Sequence, residues 1–200
     1  LMPLNKFIAN DPSTDHTAPI DLKNYYKQDV GIYTADGNVY AIPRDIAPMG
    51  LVYYNKSLLD QAHIPYPDGN WSWDYVPHPE RGNHDFLTVC KALTKPESGD
   101  KPAQFGFASF DPGATMYNLI YSSGADISDS VIHPTKVLYN DPRVVKAIQF
   151  EQDLMYKYQV SPSAATLQGT GVGSASAHTL FVQGRLAFYM CGIWEVPQFR

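Results

Sequence analysis

The sequence predicts an α/β fold, layered helices around a mixed sheet, on three observations. Short runs of branched and aromatic residues at Leu51–Tyr54, Phe105–Ala108 and Leu186–Met190 alternate with segments of helical apolar spacing. That alternation sets helices against strands. The run Asp141–Tyr158 carries a complete helix signature, and Leu186–Met190 reads as a buried strand.

Along the chain, Leu4–Ala9 is a short apolar segment, broken by the polar loop Asn10–Pro19. Asp21–Tyr26 reads as a helical turn and Ile32–Thr34 as a short extended piece. Asp36 and Gly37 form a hairpin-grade turn signal, leading into Val39–Ile42, which Pro43 stops. Leu51–Tyr54 is the next strand, closed by Asn55 and Lys56 and followed by a short helix over Ser57–Ala62. Pro65, Pro67, Gly69, Pro77 and Pro79 make Ile64–Gly82 an irregular excursion.

Asn83 can cap a helix over Asp85–Thr94, where Phe86, Cys90 and Leu93 recur at i, i+4 and i+7. Pro96–Gln104 is a polar loop before the strand Phe105–Ala108, and Ala114–Ser123 is a helix that Gly124 ends. In the next helix Asp141 caps and Pro142 takes the first helical position. Val144, Ala147, Ile148, Leu154, Met155 and Tyr158 make its apolar stripe. After the small-residue loop Ser161–Ala177, a helix near His178–Gln183 stops at Gly184 and feeds the final strand.

With 44% hydrophobic and 18% charged residues, the chain can bury a core and is not a disordered segment. A net charge of −5 argues against a nucleic-acid partner, which calls for a basic face. No apolar run reaches the length of a membrane span. Cys90 and Cys191 lack metal or redox spacing and read as buried free thiols. The sequence opens and closes inside ongoing patterns, so it reads as a piece of a longer protein.

Three predicted strands end alike. Val39–Ile42 is followed by Pro43, Arg44 and Asp45, Phe105–Ala108 by Ser109, Phe110 and Asp111, and Leu186–Met190 by Gly192, Trp194 and Glu195. Open α/β sheets bind ligands beyond the carboxyl ends of their strands. There carboxylates and an arginine can hydrogen-bond hydroxyls while an aromatic face stacks on a sugar ring. Alternatively, Trp194 seals the core, and Asp45 and Asp111 are turn or capping residues. A glycosidase could use Asp45, Asp111 or Glu195, though nothing in their spacing favours it. Gly169, Gly171 and Gly173 follow no strand and read as a flexible loop, not a phosphate cradle. His78, His84, Glu80 and Asp85 lack a ligand spacing, so no metal or cofactor is expected, and no Gly-x-Ser-x-Gly nucleophile motif occurs.

Four blocks carry a family resemblance: Gly37–Leu59, Trp71–Ala108, Asn140–Tyr158 and Phe181–Phe199. They resemble the extracellular sugar-binding proteins of bacterial ABC importers, the group that includes maltose-binding protein. The resemblance implies two lobes of the type II periplasmic-binding-protein kind, closing on a sugar at a hinge. Residues 1–43 would end the first lobe, 44–49 would be the crossover, and 50–200 most of the second lobe. Trp194 matches the stacking aromatic; Asp45 and Ser109–Tyr117 match sugar-contacting positions. Trp71 and Trp73 match a structural helix-start motif, and Val76–Asn83 departs from the pattern as an insertion.

The expected ligand-binding set is therefore Arg44, Asp45, Asp111, Tyr117, Trp194 and Glu195, with no catalytic residue. The implied protein is a non-enzymatic receptor, monomeric at full length. It would work outside the cytoplasm, periplasmic or lipid-anchored, and deliver a mono- or oligosaccharide to importer membrane subunits. The alternatives are a glycoside-active enzyme, or the same architecture binding a peptide or polyol.

Overall fold

The computed structural model describes residues 1–10, 20–44, 49–68, 71–72, 85–98, 103–131, 133–168 and 176–199. The chain divides into two compact units: Leu1–Ile46 with Ser128–Val137, and Ala47–Ile127 with Leu138–Arg200. The return of Ser128–Val137 to the first unit has no signal in the sequence.

In the first unit the expected Asp36–Gly37 hairpin forms between β1 (Thr34–Ala35) and β2 (Asn38–Val39). Both turn residues have positive φ, 50° and 74°, as a tight two-residue turn between twisted strands requires. Helix α1 (Asn5–Ala9) is clasped to the hairpin. Asn5 donates to Gly37 O at 3.1 Å and accepts from Val39 N at 2.9 Å, while Leu4 N donates to Val39 O at 2.7 Å. Asp21 caps the short 3₁₀ turn Leu22–Asn24, where a helical turn was expected.

Two expectations here are corrected. Ile32 ends helix α2 (Lys27–Ile32) instead of opening an extended piece. That helix carries Gly31 and no side-chain cap, so its local signal is weak. Within the run Val39–Ile42 only Val39 is in a strand; Tyr40 N adds one bond to Tyr33 O at 2.9 Å, and the ladder ends there. Val39 is also the one buried side chain among this unit's described residues.

The second unit is built on a mixed three-stranded sheet in the order β3 (Leu51–Tyr54), β5 (Leu186–Cys191), β4 (Phe105–Ser109). Central β5 pairs antiparallel with β3 and parallel with β4. All six of its residues are buried, which is why its sequence is a continuous apolar run instead of an alternating one. Phe188 and Met190 join one cluster with Phe107; Tyr189 and Cys191 join another with Ala108 and Leu180.

The larger cluster is roofed by α3 (Lys56–Gln61), α4 (Phe86–Leu93), α5 (Pro112–Ser122) and α6 (Pro142–Tyr156). The caps follow the sequence closely. Asn55 accepts from Leu58 N, Asp111 from Gly113 N and Asp141 from Arg143 N. Asp85, not Asn83, is the residue that precedes α4; Asn83 lies outside the described residues. Gly124, at φ 73°, ends α5 as expected, and Arg143 Nη1 donates to its carbonyl at 2.7 Å. The loop expected over Ser161–Ala177 contains a further helix, α7 (Ala164–Gln168), and residues 169–175 lie outside the described set. Helix α8 (Ala177–Val182), capped by Ser176, covers the smaller cluster. Cys90 and Cys191 are both buried and unbridged.

Gly106 shows how tightly α4 meets the sheet. A Cβ there would overlap the backbone of Cys90, and Gly106 N donates to Thr94 Oγ1 at 3.0 Å and to Val160 O at 2.9 Å. Cys90 cannot yield without moving its backbone. Gly106→Ala should destabilise the fold by about 2 kcal/mol, read as a lower denaturant midpoint. An unchanged midpoint would mean that α4 and β4 can separate freely.

Candidate functional site

The parallel pairing of β4 and β5 brings two of the three predicted strand ends side by side. Ser109 is opposite Met190, and Phe110 N donates to Met190 O at 3.1 Å. Because β3 runs antiparallel, its first residue, Leu51, lies opposite Cys191 at the same end. The next residues leave the ladder as aromatics. Phe110 and Trp194 are 41% and 40% exposed, and their rings meet edge to face at 5.3 Å and 82°. So Trp194 does not seal the core.

Trp194 belongs to a 3₁₀ helix, Ile193–Phe199, that follows β5 directly. Its indole lies over Gly192, where a Cβ would overlap the six-membered ring. Glycine is therefore required at 192 by the close approach of the ring. A glycine at the strand end was legible in the sequence, but this reason for it was not.

The other expected site residues fall in different places. Asp111 accepts from Gly113 N at 2.9 Å as the α5 cap and is exposed, so its carboxylate also faces solvent. Tyr117 is 38% exposed and stacks on Tyr121, one helical turn on, at 6.4 Å and 19°. Arg44 is exposed on the first unit, and Asp45 lies outside the described residues. Glu195 turns inward. Its carboxylate lies 2.7 Å from His178 Nδ1 and accepts from the Tyr189 hydroxyl at 3.3 Å and the Cys191 thiol at 3.6 Å. Burial, with contributions from Cys191 and Glu195, pushes the Tyr189 phenol up, so it stays protonated and donates. Among the described residues no cluster of three metal-ligating side chains occurs.

The family model for bacterial extracellular solute-binding proteins matches residues 1–199. The chain belongs to that family. An ABC substrate-binding protein from Listeria monocytogenes, solved in complex with cycloalternan, is 24% identical with a TM-score of 0.73; the match covers 100% of this chain and 44% of that one. The maltotriose-binding protein of Thermus thermophilus, bound with maltotriose, is 20% identical at a TM-score of 0.58, covering 100% and 44%. UgpB from Mycobacterium tuberculosis, in complex with glycerophosphocholine, is 17% identical at a TM-score of 0.61, covering 96% and 42%. At these identities the likeness is one of fold. The chain spans less than half the length of these proteins.

One group near the candidate site of this solute-binding protein has no signal in the sequence. Glu151 lies on the buried face of α6, 8% exposed, and lines a small cavity with Ser109, Pro112, Thr115 and Ser161. Burial, and after it the charge of Asp111, pushes its carboxyl up to about 7. A charged residue in a helical pattern reads as exposed; only the packing of α6 against α5 makes it internal.

Because Glu151 titrates higher in the folded chain than in the unfolded one, stability is greatest below the unfolded value and falls as pH rises through about 7. Glu151→Gln should remove that decline and stabilise the protein at pH 8 by roughly 1–3 kcal/mol. Melting curves between pH 5 and 8 test this. Parallel pH profiles for both proteins would place the titration elsewhere.

Proposed function

We propose that this chain supplies part of the cleft of a receptor that captures a carbohydrate and hands it to an ABC importer. The observation that carries this reading is the exposed Phe110–Trp194 pair at the adjoining carboxyl ends of β4 and β5. Trp194 offers a flat apolar surface for the C–H-rich side of a sugar ring, and the Phe110 ring braces the indole near a right angle. Asp111, one residue from Phe110 and open to solvent, is suited to accept a sugar hydroxyl. Tyr117, and Arg44 and Asp45 from the stretch after Pro43, are proposed as further ligand contacts. Membership of the solute-binding family and sugar ligands in two of the similar structures point the same way.

In this reading residues 1–43 end the first lobe, 44–49 cross between lobes, and 50–200 form most of the second. Ligand contacts on both lobes would shift an open–closed equilibrium toward the closed form. The receptor would act outside the cytoplasm as a monomer, with importer membrane subunits as its partner. No chemistry is assigned to it. Asp111 caps a helix and Glu195 is engaged by three donors, which leaves neither poised as a nucleophile or acid.

A non-sugar solute is the second reading. An aromatic pair meeting near a right angle can also enclose a trimethylammonium group, and glycerophosphocholine is the ligand of one protein of similar fold.

Calorimetry on the full-length protein with maltotriose, mannotriose and glycerophosphocholine distinguishes the two. Sugar binding that Trp194→Ala weakens by about 1–3 kcal/mol supports the proposal. Sugar affinity untouched by that substitution would remove Trp194 from the site, and binding of glycerophosphocholine alone would favour the second reading. Prolonged incubation with oligosaccharides should leave them intact by chromatography; turnover lost on substituting Asp111 would make the protein an enzyme.

A further inference from the structure

The helix Ile193–Phe199 presents Trp194 to solvent yet buries none of its own residues. Hydrophobic burial is therefore a weak restraint on it, and specific contacts must hold the indole in place. Two anchors do so. One is the Glu195 carboxylate, and the other is Phe199, whose ring lies 5.0 Å from Tyr53 and 5.2 Å from Phe181. His178 of α8 reaches both. Its Nδ1 is 2.7 Å from Glu195 Oε2, and its ring stacks on Phe199 at 5.8 Å and 13°.

We propose that His178 is the positioning residue for Trp194, clasping Glu195 and Phe199 so that the indole stays over Gly192 and against Phe110. This rests on the reading of Trp194 as the stacking residue. The chemistry suits a fixed restraint. An Nδ1–H donating to a carboxylate is a charge-assisted bond, among the stronger ones a side chain can make. It persists whether the imidazole is charged or carries its single proton on Nδ1. Tyr189 and Cys191 fill the other carboxylate oxygen, so Glu195 is held from both sides. The Tyr53 hydroxyl fixes the pivot by donating to Gly192 O at 2.9 Å. Glu195 thus serves the site through the helix that bears Trp194, while the indole itself meets the ligand.

The test is fluorine NMR of the full-length protein labelled with 5-fluorotryptophan, in which the Trp194 signal is assigned by its loss in Trp194→Phe. His178→Ala should shift or broaden the Trp194 signal and leave the Trp71 and Trp73 signals in place. His178→Asn, whose amide can donate from the position of Nδ1, should restore it. Glu195→Gln, which keeps the side-chain shape and weakens the acceptor, should give a smaller shift of the same signal. A Trp194 signal unmoved by both His178→Ala and Glu195→Gln overturns the proposal, and so does an Asn variant that behaves like Ala.

Binding of maltotriose separates this from the stacking role. If Trp194 stacks on the sugar, His178→Ala should weaken binding about tenfold and His178→Asn should recover it. A Trp194→Ala variant that binds normally removes the stacking role alone, because the fluorine signal still reports whether His178 holds the indole.

Discussion

The second unit depends on β5 being buried on both faces while paired along both edges. Its six backbone units lie between β3 and β4, so their polar groups are met by sheet hydrogen bonds in the absence of water. Its side chains then serve two cores at once. Phe188 and Met190 face the cluster under α3–α6, and Tyr189 and Cys191 the cluster under α8. A strand in that position cannot slip by one residue without exchanging the two sets, so the register with β4 is fixed by packing.

That register sets the candidate site. With Ser109 locked opposite Met190, the chain leaves both strands at the same level, and Phe110 and Trp194 meet beyond the ladder. The aromatic face is consequently as rigid as the sheet below it on one side. On the other it is only as rigid as the contacts of the short 3₁₀ helix. The carboxylates that follow the two strand ends divide along the same line. Asp111 starts α5 and looks outward, whereas Glu195 looks back into the fold toward α8.

The two units differ in what holds them. The second has a two-sided core, close backbone approaches such as Gly106 on Cys90, and caps at the starts of α3, α5, α6 and α8. The described part of the first relies on hydrogen bonds such as those from Asn5, with Val39 alone buried. Since burial of apolar area is the main favourable term in folding, the second unit carries most of this chain's stability. Glu151 runs against that trend as a carboxyl inside the apolar layer whose ionisation the fold resists.

By itself the sequence determined the features with local causes. Leu51–Tyr54 is a strand with the bounds its composition suggests, and Asp36–Gly37 is a turn because both positions accept positive φ. Pro142 after Asp141 starts α6 where it does because that pair satisfies a helix end without any neighbour. The stretch Gly192–Trp194 was legible as an aromatic beyond a strand end. Tertiary structure decided what depends on distant partners. Phe110 becomes half of an aromatic pair because β4 is parallel to β5. Glu195 turns inward because α8 sets His178 beside it. Glu151 is internal because α6 packs on α5, and Ser128–Val137 leaves the second unit for the first. None of these is encoded within a few residues, since each requires two segments far apart in sequence to be brought into contact.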